Sequence, residues 1–200
     1  MSQSFLETVK ARRSYYPLKK ESPVDNKKIQ DIVTESLLQS PSSFNNQTTR
    51  ILLLLGAEHE KFWGIVKTTL KAIVPGAGFA TSEKKMDMFK GAYGTVLFFD
   101  DRSAINKSQE AYSIYADKFP DWATQTNGIS QYIVWTALEA EGFGANLQHY
   151  NPIVNQQVAA TWDLPETWEL NAQLVFGTPT GPAKEKTFVD VKERIKVFGA

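Results

Sequence analysis

The chain of 200 residues contains no cysteine, which excludes disulfides, thiolate nucleophiles and zinc–thiolate sites together. Histidine is scarce: His59 and His149 are the only two, too few for a histidine-rich metal centre, and no metal is expected. Excess charge is missing as well. The 22 Lys and Arg balance the 22 Asp and Glu, so the summed field gives no reason to expect nucleic acid or an anionic membrane as partner. The longest aliphatic run, Ile51 to Leu55, is far too short to span a bilayer, and MSQSFLETVKARRSYY carries no apolar core of signal-peptide length. The expectation is a cytoplasmic protein in which the Asn46-Gln47-Thr48 and Asn106-Lys107-Ser108 triplets meet no glycosyltransferase.

Several catalytic signatures are absent too. No G-x-G-x-x-G follows a strand; Gly76-Ala77-Gly78 and Gly142-Phe143-Gly144 lack the third glycine, which argues against a dinucleotide-binding Rossmann site. There is no Walker A loop, no G-x-S-x-G elbow and no H-E-x-x-H. A Ser-His-Asp hydrolase would have to use one of the two histidines. His59, within Glu58-His59-Glu60-Lys61 at a helix start, reads as a solvated residue. His149 follows a glycine-rich break beside Asn146, Gln148, Tyr150 and Asn151, and reads as part of a polar loop at a site.

What is present suits one globular domain spanning residues 1–200: 42% hydrophobic and 22% charged residues, with no repeat, low-complexity tract or linker. Phe5, Leu6 and Val9 predict a short helix ending near Arg12. Ile29, Ile32, Val33 and Leu37 predict a second, from about Pro23 and Asp25 to just before Pro41. Buried strands are expected at Ile51–Leu55, Thr95–Phe99 and Ala172–Phe176. Helices are expected around Phe62–Leu70, ended by Pro75 and Gly76, around Ile129–Leu138, broken near Gly142, and around Val154–Trp162. A glycine-bearing connection runs on to Tyr93, and Ser103 to Trp122 has a broken, partly helical pattern. Strands separated by long helices imply a sheet covered by helices, α+β or α/β. The tail KEKTFVDVKERIKVFGA is basic and carries more apolar surface than a free terminus should, so it is expected to pack on something, a second subunit included.

Two motifs carry chemistry. Arg12-Arg13-Ser14 sets two guanidinium forks and a hydroxyl at a helix end, donors that match a phosphate monoester; the ordinary alternative is arginine answering the helix dipole. Pro41-Ser42-Ser43-Phe44-Asn45-Asn46-Gln47 crowds amides and hydroxyls ahead of a buried strand, able to meet a uracil-like ring edge or a ribityl chain, or simply to form a turn.

R-R-S near the N-terminus, P-S-S-x-N-x-Q before the first strand and G-F-G-A-N-L-Q-H-Y-N-P after a long helix, in that order, resemble the FMN-dependent nitroreductase family. The last motif and the tail R-I-K-V-F-G are most similar to the fungal fatty-acid-repression and bacterial copper-induced nitroreductases. The resemblance covers nearly the whole chain. It implies an α+β three-layer sandwich with a mainly antiparallel central sheet, an intertwined homodimer, and two FMN sites at the subunit interface with the sheet completed by the partner's C-terminal strand. Arg12 and Ser14 match phosphate-binding positions, with Arg13 between them. Ser42, Ser43, Asn45 and Gln47 match the loop along the flavin. Leu147, Gln148, His149 and Tyr150 match the segment whose main chain faces the hydride-accepting nitrogen, although much of the family has a glutamate and a glycine where this chain has His149 and Tyr150. Lys184, Lys186 and Arg194 are candidates for a further phosphate contact, and Lys84 and Lys85 for ring contacts.

The implied activity is ping-pong transfer from NAD(P)H to a nitroaromatic or quinone acceptor, with no catalytic side chain because the flavin carries the chemistry. Phe119 and Trp122, with Phe89 or Tyr93, are the candidates for an acceptor-stacking lid; the alternative for Phe89 and Tyr93 is the core. A flavin-binding sensor with little turnover and a cofactor-free interaction domain are the rival readings.

Overall fold

The computed structural model describes residues 4–74 and 76–199. Helix α1 (Phe5–Ala11) opens on a capping box in which Ser4 and Glu7 satisfy each other's main-chain N–H groups. The two-residue strand β1 (Leu18–Lys19) leads to α2 (Asn26–Gln39), capped by the Asp25 carboxylate 2.7 Å from the Lys28 nitrogen. Strand β2 (Thr49–Leu55), α3 (Gly56–Ile73), α4 (Phe79–Lys90), β3 (Gly94–Asp101) and α5 (Arg102–Ala111) follow. The 22-residue α6 (Phe119–Ala140), β4 (Gly144–Gln148), α7 (Asn155–Thr161), β5 (Trp168–Pro179) and the short α8 (Val191–Arg194) complete the order.

Among the described residues five strands form one antiparallel sheet. The 12-residue β5 is its spine: one side pairs with β3, which pairs in turn with β2, and the other side pairs with β4 and β1. Alternation along β3 sends Val96 and Phe98 to one face, where they meet Ile29 and Val33 of α2 and Val134 and Leu138 of α6. Leu97 and Phe99 go to the other, against Phe62, Trp63 and Val66 of α3 and Met86 and Phe89 of α4. Helices therefore cover both faces, the three-layer α+β arrangement expected. Gly94 is glycine because a β-carbon there would lie 2.6 Å from the Phe176 ring and 2.7 Å from Leu55.

The structure departs from the sequence reading in four places. The connection before Tyr93 contains α4, whose Phe79, Met86 and Phe89 form a sparse buried stripe in an otherwise polar segment; Pro75 lies outside the described residues. The broken stretch resolves into α5, a 3-10 segment (Ser113–Lys118) and the start of α6. The polar GANLQ after the glycine break is strand, not loop, because pairing with β5 overrides a weak local preference. His59 is not solvated: it is 0% exposed, with its Nε2 facing the Lys90 carbonyl at 3.3 Å. A carbonyl only accepts, so Nε2 carries the proton. Nδ1 then accepts from the Thr95 hydroxyl at 2.8 Å, and that hydroxyl accepts from the Trp63 indole at 3.0 Å. Helix α3 is thereby tied to β3 and to the end of α4.

Burial lowers the His59 pKa from 6.5 to about 4. A base depressed in the folded state contributes its full stability above its unfolded pKa and loses it as pH falls towards the folded one, here over pH 6.5 to 4 and on the order of 3 kcal/mol. Urea unfolding across that interval should therefore show a smaller acid loss for His59→Gln than for the wild type; parallel curves for the two proteins would contradict this role.

Candidate functional site

After α1 the chain turns extended at Arg12 (φ −59°, ψ 123°), and Ser14 forms a parallel bridge with Ala145 of β4. The Tyr15 nitrogen donates to the Ala145 carbonyl at 2.9 Å, and the Asn146 amide donates to the Tyr15 carbonyl at 2.7 Å. Gly144 permits this approach, since a β-carbon there would meet Tyr15 at 2.9 Å. The glycine break thus seats the arginine motif against the strand that leads to His149.

The Arg12 guanidinium lies 4.4 Å from the Trp135 ring centroid, and its Nε is buried without a hydrogen-bond partner among the described residues. The Arg13 nitrogen donates to the Glu139 carboxylate at 2.8 Å, and its guanidinium donates to the Lys184 carbonyl. A cleft of about 380 Å³ opens beside Arg12, Tyr15 and Glu139. Lys184 therefore joins this cluster. Lys186 lies further out, 5.2 Å from the Phe188 ring centroid, and Arg194 stands exposed in α8.

At the other end of β4 the Gln148 amide donates to Asn146 at 2.8 Å. The Tyr150 nitrogen donates to the side chain of Gln173 at 2.7 Å, and the Gln173 amide donates to Asn151 at 3.2 Å. Gln173, fully buried within β5, pins the polar segment; sequence reasoning passed over it as one polar residue in an apolar strand. Leu147 is half-buried and His149 exposed. The Tyr150 ring turns inward, edge-on to Trp63 and Phe89, and burial raises its hydroxyl pKa.

The serine-rich loop is conformationally unusual. Phe44, Asn45 and Gln47 have φ of 53°, 53° and 48°, the left-handed region that side chains other than glycine rarely adopt, at a cost of about 1–3 kcal/mol for such a residue. The Ser42 hydroxyl accepts from the Gln47 nitrogen at 3.0 Å and helps hold the turn; Ser43 opens its 3-10 segment. Both polar atoms of the Asn46 amide are buried without partners among the described residues. Asn46 was not among the predicted contacts, although its place between Asn45 and Gln47 is the signal that would have found it.

Phe44 stacks on Tyr112 with centroids 4.4 Å apart, and approaches Tyr115, Phe119 and Trp122. Two lid expectations need correction here. Phe119, the first residue of α6, is 0% exposed with its ring sealed against Ile105 and Ala123, and Phe89 is 1% exposed in the core beside Trp63. Neither offers a free face; Phe44, Tyr112 and Tyr115 do, with Trp122 half-buried among them. Tyr93 donates its hydroxyl to Asn26 at 2.6 Å, and Lys84 and Lys85 stand exposed on α4.

Within one chain these parts fall into two groups. Thr126 and Ser130 of α6 line a cleft of about 120 Å³ with Ser42, Gln47 and Thr49, whereas Glu139 of the same helix meets Arg13. From Thr126 to Glu139, at about 1.5 Å per residue, is roughly 20 Å. A single chain brings the arginine motif to the His149 strand but not to the serine-rich loop.

Comparison with known proteins gives the family. The family model described as the nitroreductase family matches residues 9–178. The HBN1 protein of Saccharomyces cerevisiae is 38% identical over 197 residues, covering 98% of this chain and 97% of that protein. Nitroreductase FRM2 of the same yeast is 36% identical over 190 residues, covering 94% of each. The solved structure of nitroreductase CinD from Lactococcus lactis in complex with chloramphenicol superposes with a TM-score of 0.90 at 44% identity, over 98% of this chain and 100% of that one. With motifs, fold and relatives in agreement, the chain belongs to the nitroreductase family.

Proposed function

We propose that the whole chain forms one FMN-binding unit of a cytoplasmic homodimeric oxidoreductase, which passes electrons from NAD(P)H to nitroaromatic, quinone or related acceptors. The observation that carries the reading is Arg12: a guanidinium stacked on an indole, with a buried and unpartnered Nε, beside Ser14 on the strand that leads to His149. The residues present fit an FMN monoester, since the Arg12 guanidinium, whose Nε has no partner among the described residues, is the kind of donor a phosphate needs, and the Asn46 amide keeps a donor and an acceptor for a polar ring or chain. FMN, when bound, supplies two-electron exchange, which supports ping-pong turnover with donor and acceptor using one face in turn.

The protein's own part is placement. Arg12, Arg13 and Ser14 would hold the phosphate, and the main chain of Leu147 to Tyr150 and the Ser42–Gln47 loop would flank the ring. Phe44, Tyr112 and Tyr115 offer an aromatic surface for a flat acceptor. Crystals of CinD with 4-nitrophenol and with nicotinic acid support small aromatic compounds as the ligand class.

Two copies are needed to unite the loop with the arginines. The surface favours this: β2 is a sheet edge rich in leucine, Phe5 and Leu6 of α1 are 76% and 73% exposed, and Phe188 and Phe198 of the tail are 76% and 91% exposed. In the proposed dimer each tail crosses to the other subunit and extends its sheet.

The purified protein should be yellow, bleach with NADH or NADPH, and recover colour with a nitroarene or quinone; a yellow protein indifferent to both nucleotides would favour a flavin sensor instead. Arg12→Ala should weaken FMN binding about tenfold to a hundredfold, the loss of a charged hydrogen bond worth about 1.5–3 kcal/mol, with little change in folding. An unchanged flavin titration would remove Arg12 from the site. Deleting residues 187–200 should yield a monomer by light scattering that no longer retains FMN, and a surviving flavinated dimer would refute the crossed tail.

A further inference from the structure

Glu139 is half-buried at the end of α6, and both of its oxygens are engaged. Oε2 accepts from the Arg13 main-chain nitrogen at 2.8 Å, and Oε1 accepts from the Trp135 indole at 2.7 Å. Trp135 and Glu139 are four residues apart and so share one face of the helix. The same indole carries the Arg12 guanidinium on its ring, 4.4 Å away. One carboxylate thus fixes two parts of the arginine motif: the main chain at Arg13 and the platform under Arg12. Only an ionised carboxylate presents full acceptors to both N–H groups; a protonated acid or an amide turns one of its two heteroatoms into a donor.

We propose that Glu139 is a positioning residue for the cofactor phosphate, acting as a carboxylate through Arg13 and Trp135 to hold the Arg12 guanidinium in its binding pose. The inference rests on the FMN reading above and deepens it. Burial raises the Glu139 pKa to about 7, so the acceptor pair is present above neutrality and is lost as pH falls. The charged groups around it are Arg12 and Arg13 at the end of α1, Lys184 of the tail, whose carbonyl takes a hydrogen bond from Arg13, and the Lys28–Glu141 pair joining α2 to the end of α6. Tyr15 lines the same cleft, Tyr132 lies beside Arg12, and β4 contributes the Ala145 main chain. Flavin retention should therefore weaken on acidification by a route separate from the phosphate's own protonation, which has a pKa near 6.

The test is FMN titration of the full-length wild type and Glu139→Gln from about pH 5.5 to about pH 8.5, read as the ratio of their dissociation constants. The titration of the free FMN phosphate is common to both proteins and cancels. Glu139→Gln should bind about tenfold more weakly at the alkaline end and approach the wild type at the acid end. A ratio constant with pH would reduce Glu139 to scaffold, and tighter binding by the variant at high pH would make it a repelling charge; either overturns the proposal. Should the variant fail to fold, Trp135→Phe, which removes the N–H, carries the test instead: the smaller ring under Arg12 adds a constant loss, and the ratio should still widen towards alkaline pH. The two readings fail separately. If the wild type does not bind FMN, or Arg12→Ala binds as the wild type does, the cofactor reading falls; if those results hold and the pH-dependent ratio is missing, only the role of Glu139 falls.

Discussion

The bridge between Ser14 and Ala145 is the contact on which the arrangement depends. It joins the end of a short, almost unburied helix to an edge of the sheet, and it converts a glycine-rich break in the sequence into a seat for Tyr15. Helix α1 buries no residue of its own, so its position comes from this edge and from the Arg13–Glu139 hydrogen bond rather than from a core of its own. Cationic donors are thereby presented at a fixed point of a rigid sheet, where a loop of the same composition would have to be ordered at the moment of binding.

The opposite end of α6 is organised by different means. There the buried Asp100 carboxylate, its pKa raised by burial, accepts from Asn127 at 2.8 Å and from Asn171 at 2.9 Å, tying the helix to β3 and β5. Next to this network the left-handed turn at Phe44 and Asn45 is held under conformational strain with the Asn46 amide unsatisfied. A buried amide without partners is costly in a finished structure. Its presence fits a turn whose proper environment includes something from outside the single chain.

Much of the architecture was readable from pattern. The stripes of α2 and α6 and the uniformly apolar β2, β3 and β5 follow from burial on both faces of a covered sheet. Strand β4 was not readable, because its residues suit a loop and only partners more than twenty positions away make them extended. His59 was misread for a related reason: its neighbours Glu58 and Lys61 are exposed, and nothing local announces Thr95 or Trp63. In the site, the residue types were visible but their directions were not. Phe119 has the composition of a lid residue and the orientation of a core one, whereas Phe44, the unspecified position of P-S-S-x-N-x-Q, carries the exposed stacking face.

The roughly 20 Å of helix between Glu139 and the serine-rich loop also has a genetic side. On the dimeric reading each site borrows its arginines from one polypeptide and its loop from the other. A chain crippled at one end of α6 and a chain crippled at the other would then complement when co-expressed, because each mixed pair assembles one undamaged centre and one doubly damaged centre. Alleles of this gene should sort into two groups by which end of that helix they strike.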